Sequence, residues 1–192
     1  MSSILARSLV PAAAALLMLL GAGHAGDVRA HKVRTTPIGM PHDFDAQHGR
    51  WHTTVRRLLR PLENSNEWAE YEGPGIVHPL LGGRANVAEL DVSGPQGRIQ
   101  GISVRLFDPK AQRWTIRFAS ATTGALDDGI SGGFAGGRRG VFYGADTWNG
   151  RPIVVRFIID VVDANAVQFE QSFSANDGVD WEVNWVATDK RE

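Results

Sequence analysis

From Gly49 to the C-terminus, hydrophobic and polar positions alternate. Trp51, Thr53, Val55 and Leu59 share one parity, and His52, Thr54, Arg56 and Arg60 the other. That is the two-residue period of a strand with one face toward a core. A second strand is expected over Glu67–Glu72. A third covers Ala85–Val92 and stops at SGPQG, where glycine and proline break the extended run. Ile102, Val104 and Leu106 alternate within Arg98–Phe107. After DPKAQ, the set Trp114, Ile116 and Phe118 does the same. These two apolar sets are expected to share the inner face, which puts Arg105 and Arg117 on the other. Val141, Tyr143 and Ala145 mark the next strand. Ile153, Val155, Phe157 and Ile159 mark another, as do Val167, Phe169 and Phe173, and then Trp181, Val183 and Trp185. Asn149-Gly150 predicts a tight hairpin, because both residues tolerate positive φ. Residues 121–139 are the least regular stretch.

The pattern amounts to about nine to ten short strands at hairpin spacing, the sign of a sandwich or a barrel. After Gly49 no segment reads as a long helix. Simple hairpin succession favours a single antiparallel up-and-down β-barrel, since closure removes exposed sheet edges. A short helical or turn segment is expected over Pro41–His48. It follows a polar, flexible lead over residues 26–41, and the barrel domain is expected over 42–192.

The first residues have a different character. Arg7 is the only charge before Asp27, and an apolar run from Leu9 to Leu20 leads into small residues. This is the layout of a secretory signal peptide, with the apolar run shorter than the about 20 residues of a spanning helix. Cleavage after Ala25 uses Gly23 and Ala25 as the small pair, and cleavage after Ala30 is the alternative. The expectation is an exported protein, periplasmic or extracellular, with no stable membrane insertion once residues 1–25 are removed.

Composition narrows the chemistry. The chain has 192 residues, with 20 Lys+Arg against 21 Asp+Glu and no cysteine. Near-neutral charge speaks against a nucleic-acid partner. The missing cysteines exclude disulfides, thiolate metal sites and a cysteine nucleophile. Gly129-Ile130-Ser131-Gly132-Gly133 fits the G-x-S-x-G pattern. Yet no helix is expected after it and no histidine follows His78, so the serine-hydrolase order cannot form. The stretch reads as a flexible glycine-rich connection. His42, His48 and His52 match no standard ligand spacing, and His78 stands alone. No metal and no cofactor is assigned.

Gly49-Arg50-Trp51 opens the first strand after a short lead and resembles the G-x-W signature of the calycins, the superfamily of lipocalins and fatty-acid-binding proteins. HDFDAQHGRW, RLFDPKAQRWTI, GVFYGADTWNGRPIVVRF and FSANDGVDWEVNW are together similar to a family of uncharacterised bacterial proteins with a calycin-like barrel. The likeness spans about residues 42–186 and implies a fold, not an activity. It also implies that Trp51 closes one barrel end against a cation from the last strand, Lys190 or Arg191.

The expected interior is aromatic, with Trp51, Trp114, Tyr143, Phe157, Phe169 and Trp185 as candidate ligand contacts. Gln171 is the one polar residue between Phe169 and Phe173, where a buried amide needs a partner. Arg105, Arg117 and Arg156 have two placements. One is an outer ladder with glutamates such as Glu89 and Glu170. The other is inside, holding an anionic head group as in fatty-acid-binding proteins. The leading functional expectation is a barrel that binds a small, mostly apolar molecule. Two alternatives remain open: a lyase, isomerase or cyclase using Tyr143 with Glu70 or Glu89 inside the cavity, or a structural module with a filled core. Oligomeric state is not legible.

Overall fold

The computed structural model describes residues 36–192. Ten strands follow in order: β1 (Gly49–Leu58), β2 (Trp68–Leu80), β3 (Ala85–Gly94), β4 (Gly97–Asp108), β5 (Arg113–Ser120), β6 (Ile130–Ala135), β7 (Arg139–Trp148), β8 (Arg151–Asp163), β9 (Ala166–Ser174) and β10 (Glu182–Arg191). Each pairs antiparallel with its successor, and β1 pairs with β10 to close the barrel. This is the all-β, up-and-down architecture expected. The signal-peptide segment lies outside the described residues, as does most of the lead.

A short 3-10 helix, Asp45–Gln47, plugs the end where β1 begins. Phe44 is fully buried there. Its ring meets Trp114 edge-on at 4.7 Å and Phe134 at 5.0 Å. Trp51, Val167 and Phe142 complete this plug, each at most 1% exposed. Gly39 N–H donates to the Gln112 carbonyl and Trp114 Nε1 donates to the Met40 carbonyl. The end of the lead is thereby pinned over β5. At the opposite end a smaller cluster of Ile153, Val155 and Phe173 packs with Leu62 and Trp148.

The Asn149-Gly150 turn is present as predicted. Both residues have positive φ, 49° and 76°, and Trp148 pairs with Arg151 across it. Four expectations are corrected. First, the stretch read as a glycine-rich connection contains a strand, β6. Its glycines are there for closeness: a side chain on Gly132 would collide with the β7 backbone at Val141, and one on Gly133 with the lead at Pro37 and Gly39.

Second, β4 presents its other face. Arg105 pairs with Ile116, Ser103 with Phe118 and Phe107 with Trp114, so Arg105 is inside. Ile102 and Leu106 point outward, 39% and 47% exposed. Third, Tyr143 lies on the outer face of β7, opposite Ser131 and Arg156, because Phe142 takes the inner position at 0% exposure. Fourth, an irregularity between Val183 and Trp185 in β10 flips the parity. Trp185 points inward across from Gln171, while Trp181 packs outside against Tyr143, the rings tilted at 48°. An extra residue in one strand has this effect, because one residue changes the face.

Candidate functional site

Between the two end clusters the barrel interior holds a partly open cavity of about 160 Å³. Trp51, Phe157, Phe169, Gln171 and Trp185 line it. Two other sequence candidates do not. Trp114 is buried in the plug behind it, and Tyr143 is on the outer surface. The rest of the wall combines aliphatic residues such as Leu90, Ile116 and Val155 with Phe118 and the small polar residues Thr53 and Ser103.

Polar groups enter at few points. Arg105 reaches in from β4, only 6% exposed. Its Nη1 donates to Gln47 Oε1 at 3.0 Å and to Asn86 Oδ1 at 3.4 Å, and its guanidinium lies 4.7 Å above the Phe44 ring. Arg105 Nε, Gln47 Nε2 and Asn86 Nδ2 are buried without a partner. Burial draws the Arg105 pKa down to about 10, with Asp189 opposing the shift. Across the floor, Asp189 accepts a 2.6 Å hydrogen bond from Thr53 Oγ1. Burial raises its pKa, against that bond and the attraction of Arg105. No ion pair within 4 Å joins Arg105 to Asp189 among the described residues.

Asp127, in the β5–β6 loop at the other end, also lines the cavity. One of its oxygens, Oδ1, is buried and unpartnered. Burial, with Asp146 adding to it, pushes its pKa up to about 6. At the same end of the barrel, Arg57 is buried on the inner face of β1 with Tyr71 as its hydrogen-bond partner.

Sequence reasoning left Asp189 and Asp127 out of the site and favoured an outer position for Arg105. The signal available for Asp189 was its parity with Trp185, two strand periods away. The acid–base residues considered for an enzyme are not inside. Glu70 faces Arg56 at 3.8 Å, and Glu89, although its position borders the cavity, turns its carboxylate outward to His78 at 3.3 Å; both carboxylates are exposed. Arg156 and Glu170 form the expected outer pair at 3.5 Å. Arg117 is likewise outside, bonding the Asp127 carbonyl. His42 and His48 both approach Asp45, at 2.9 and 3.8 Å, while His52 turns outward to Glu72. The described residues contain no group of three or more potential metal ligands.

The plug carries one further expected feature. Arg191 Cζ lies 4.1 Å from the Trp51 ring centroid, whereas Lys190 pairs with outward-facing His52 in the β1–β10 register.

No family model matches the chain, and no curated protein matches it. Similar solved structures include EF1p2_mFAP2b bound to DFHBI, 10% identical, covering 80% of this chain and 100% of that one with a TM-score of 0.44. Another is mFAP1, a redesigned β-barrel bound to DFHBI, 10% identical, covering 79% and 100% with a TM-score of 0.43. At this level of similarity the likeness assigns no function.

Proposed function

We propose that this chain is an exported, calycin-like barrel whose interior binds a small, mostly apolar molecule of about single-ring size. The observation that carries the reading is the cavity of about 160 Å³ between the plug and the far cluster. An apolar protein cavity of about 150 Å³ is known to hold benzene, so the space suits one substituted ring. It is small for a long fatty acid or a sterol, since sites for drug-sized ligands run to about 300–1,000 Å³. Apolar walls supply contact area and a few polar groups supply orientation, the division of labour found in such sites. Export is supported by the apolar run Leu9–Leu20 and the small residues after it. Kinship with calycins is supported by Gly49-Arg50-Trp51 and by Arg191 on the Trp51 ring.

A size series tests the binding reading. Trp185 and Trp51 border the cavity, so tryptophan fluorescence reports occupancy. Toluene and ethylbenzene should change it saturably, and palmitate should not. Saturable binding of palmitate with no response to single rings would refute the size assignment. No response to any of them would refute the binding reading.

The enzyme alternative is favoured by one group, Asp127, whose raised pKa suits proton transfer near neutral pH. Chemical turnover of a bound ring compound that is lost in Asp127→Asn would select that reading. Unchanged ligand recovered after long incubation would exclude it for that compound.

A further inference from the structure

Resting on the binding reading above, we infer that the cavity selects a ring bearing an uncharged group that both accepts and donates hydrogen bonds, with a carboxamide as the type. The juxtaposition of Arg105 and Asp189 on the cavity floor carries the inference. Both line the cavity. Each influences the ionisation of the other, yet they do not meet as an ion pair among the described residues.

Each is also only partly satisfied by the protein. Arg105 spends Nη1 on Gln47 and Asn86, and its Nε has no partner. A guanidinium has five N–H donors to place. Asp189 receives Thr53 on Oδ1, and no described residue bonds its Oδ2. Buried polar groups left in this state are costly, so the floor holds a donor and an acceptor with capacity to spare.

Three kinds of ligand head group can be compared. A bare hydrocarbon leaves both ions facing an apolar surface after water is expelled, which opposes binding. A carboxylate can accept from Arg105, but it brings a second buried negative charge to Asp189, and like charges in a low-dielectric site repel strongly. A carboxamide turns its carbonyl to Arg105 and its N–H to Asp189. It leaves the floor formally neutral and satisfies both ions.

The experiment measures the affinities of toluene, benzamide and benzoate by tryptophan fluorescence at about pH 7, where benzoate is ionised as a carboxylic acid of ordinary pKa would be. Benzamide should bind at least about tenfold more tightly than either of the others, a difference of about 1.4 kcal/mol. Asp189→Asn keeps an oxygen for Thr53 while removing the negative charge. It should reverse the preference, so that benzoate binds more tightly than benzamide. A merely structural Asp189 would lower all affinities together and would not invert their order. Equal binding of toluene and benzamide would overturn this inference and leave the cavity reading standing. Benzoate binding as well as benzamide to the unmodified protein would overturn it too, as would an unchanged order in Asp189→Asn. If none of the three binds, the cavity reading fails and this inference fails with it.

Discussion

The guanidinium of Arg191 lies over Trp51, its central carbon 4.1 Å from the ring centroid. It also ties down three backbone carbonyls, those of Ala164, His48 and Ala46, at 2.7–2.9 Å. Trp51 in turn donates its indole N–H to the Gln47 carbonyl at 2.8 Å. The last strand, the first strand and the plug helix are joined through these two side chains. Removing the ring by Trp51→Ala should destabilise the fold by about 3–5 kcal/mol, the range for a large buried aromatic. Arg191→Lys keeps the charge but loses the planar fork, and should cost about 1–2 kcal/mol. Chemical denaturation of both variants checks the pair. A Trp51→Ala variant as stable as the parent would mean that the ring does not hold the plug.

Arg105 supplies a second stability prediction. Arg105→Ala leaves Gln47 Oε1 and Asn86 Oδ1 without their donor and enlarges the cavity. A loss of about 2–4 kcal/mol should follow from the stranded acceptors and the removed packing. The midpoint of urea unfolding reads this directly. A neutral effect would show that the cluster relaxes or hydrates without cost.

The pH dependence of stability follows from Asp127. Its folded pKa is raised to about 6, above the value of about 3.9 for an unfolded aspartate. Between these values the folded state holds a proton that the unfolded state has released, so stability falls as pH rises through about 4 to 6. Asp189 and Asp146, both raised by burial, act in the same direction. Asp127→Asn should flatten this decline and raise stability at neutral pH by about 1 kcal/mol, after allowance for solvent near the loop. Melting temperatures of the two proteins across pH 4 to 7 test it. A variant that keeps the full decline would remove Asp127 as its source.

Filling the cavity separates binding from folding. Ala88 lines it from β3, and Ala88→Leu extends apolar atoms into empty space. The variant should keep or slightly raise its melting temperature, as cavity-filling changes often do, while losing affinity for toluene and ethylbenzene by about tenfold or more. Retained affinity would place the ligand elsewhere on the molecule.

Architecture was largely legible in the sequence, because hairpin spacing and turn chemistry do not depend on which face is inside. Asn149-Gly150 marks its turn whatever the neighbouring strands bury. Facing was legible where one parity is clearly apolar, as at Trp51, Thr53 and Val55. It failed on β4, where outward Ile102, Val104 and Leu106 are more apolar than inward Gly101, Ser103 and Arg105. Hydrophobicity alone points the wrong way there. It failed on β7 because inward Phe142 sits between Gly140 and Gly144, which carry no side chain to show the inner parity. At β10 an irregularity before Trp185 breaks the period that would place Trp181 inside. The polar floor was missed for a related reason: Arg105 and Asp189 are inner residues of a type that usually marks an outer face, and only the register of β4 with β5 and of β10 with β1 identifies them.

The central claim is that the barrel interior receives a small ring compound. A crystal of the protein soaked in bromobenzene and measured at the bromine absorption edge tests it most directly. An anomalous peak is expected inside the barrel, between Phe157 and Ile116 and within contact of Trp185. A peak confined to the outer surface, with the interior holding ordered water or collapsed side chains, would contradict it.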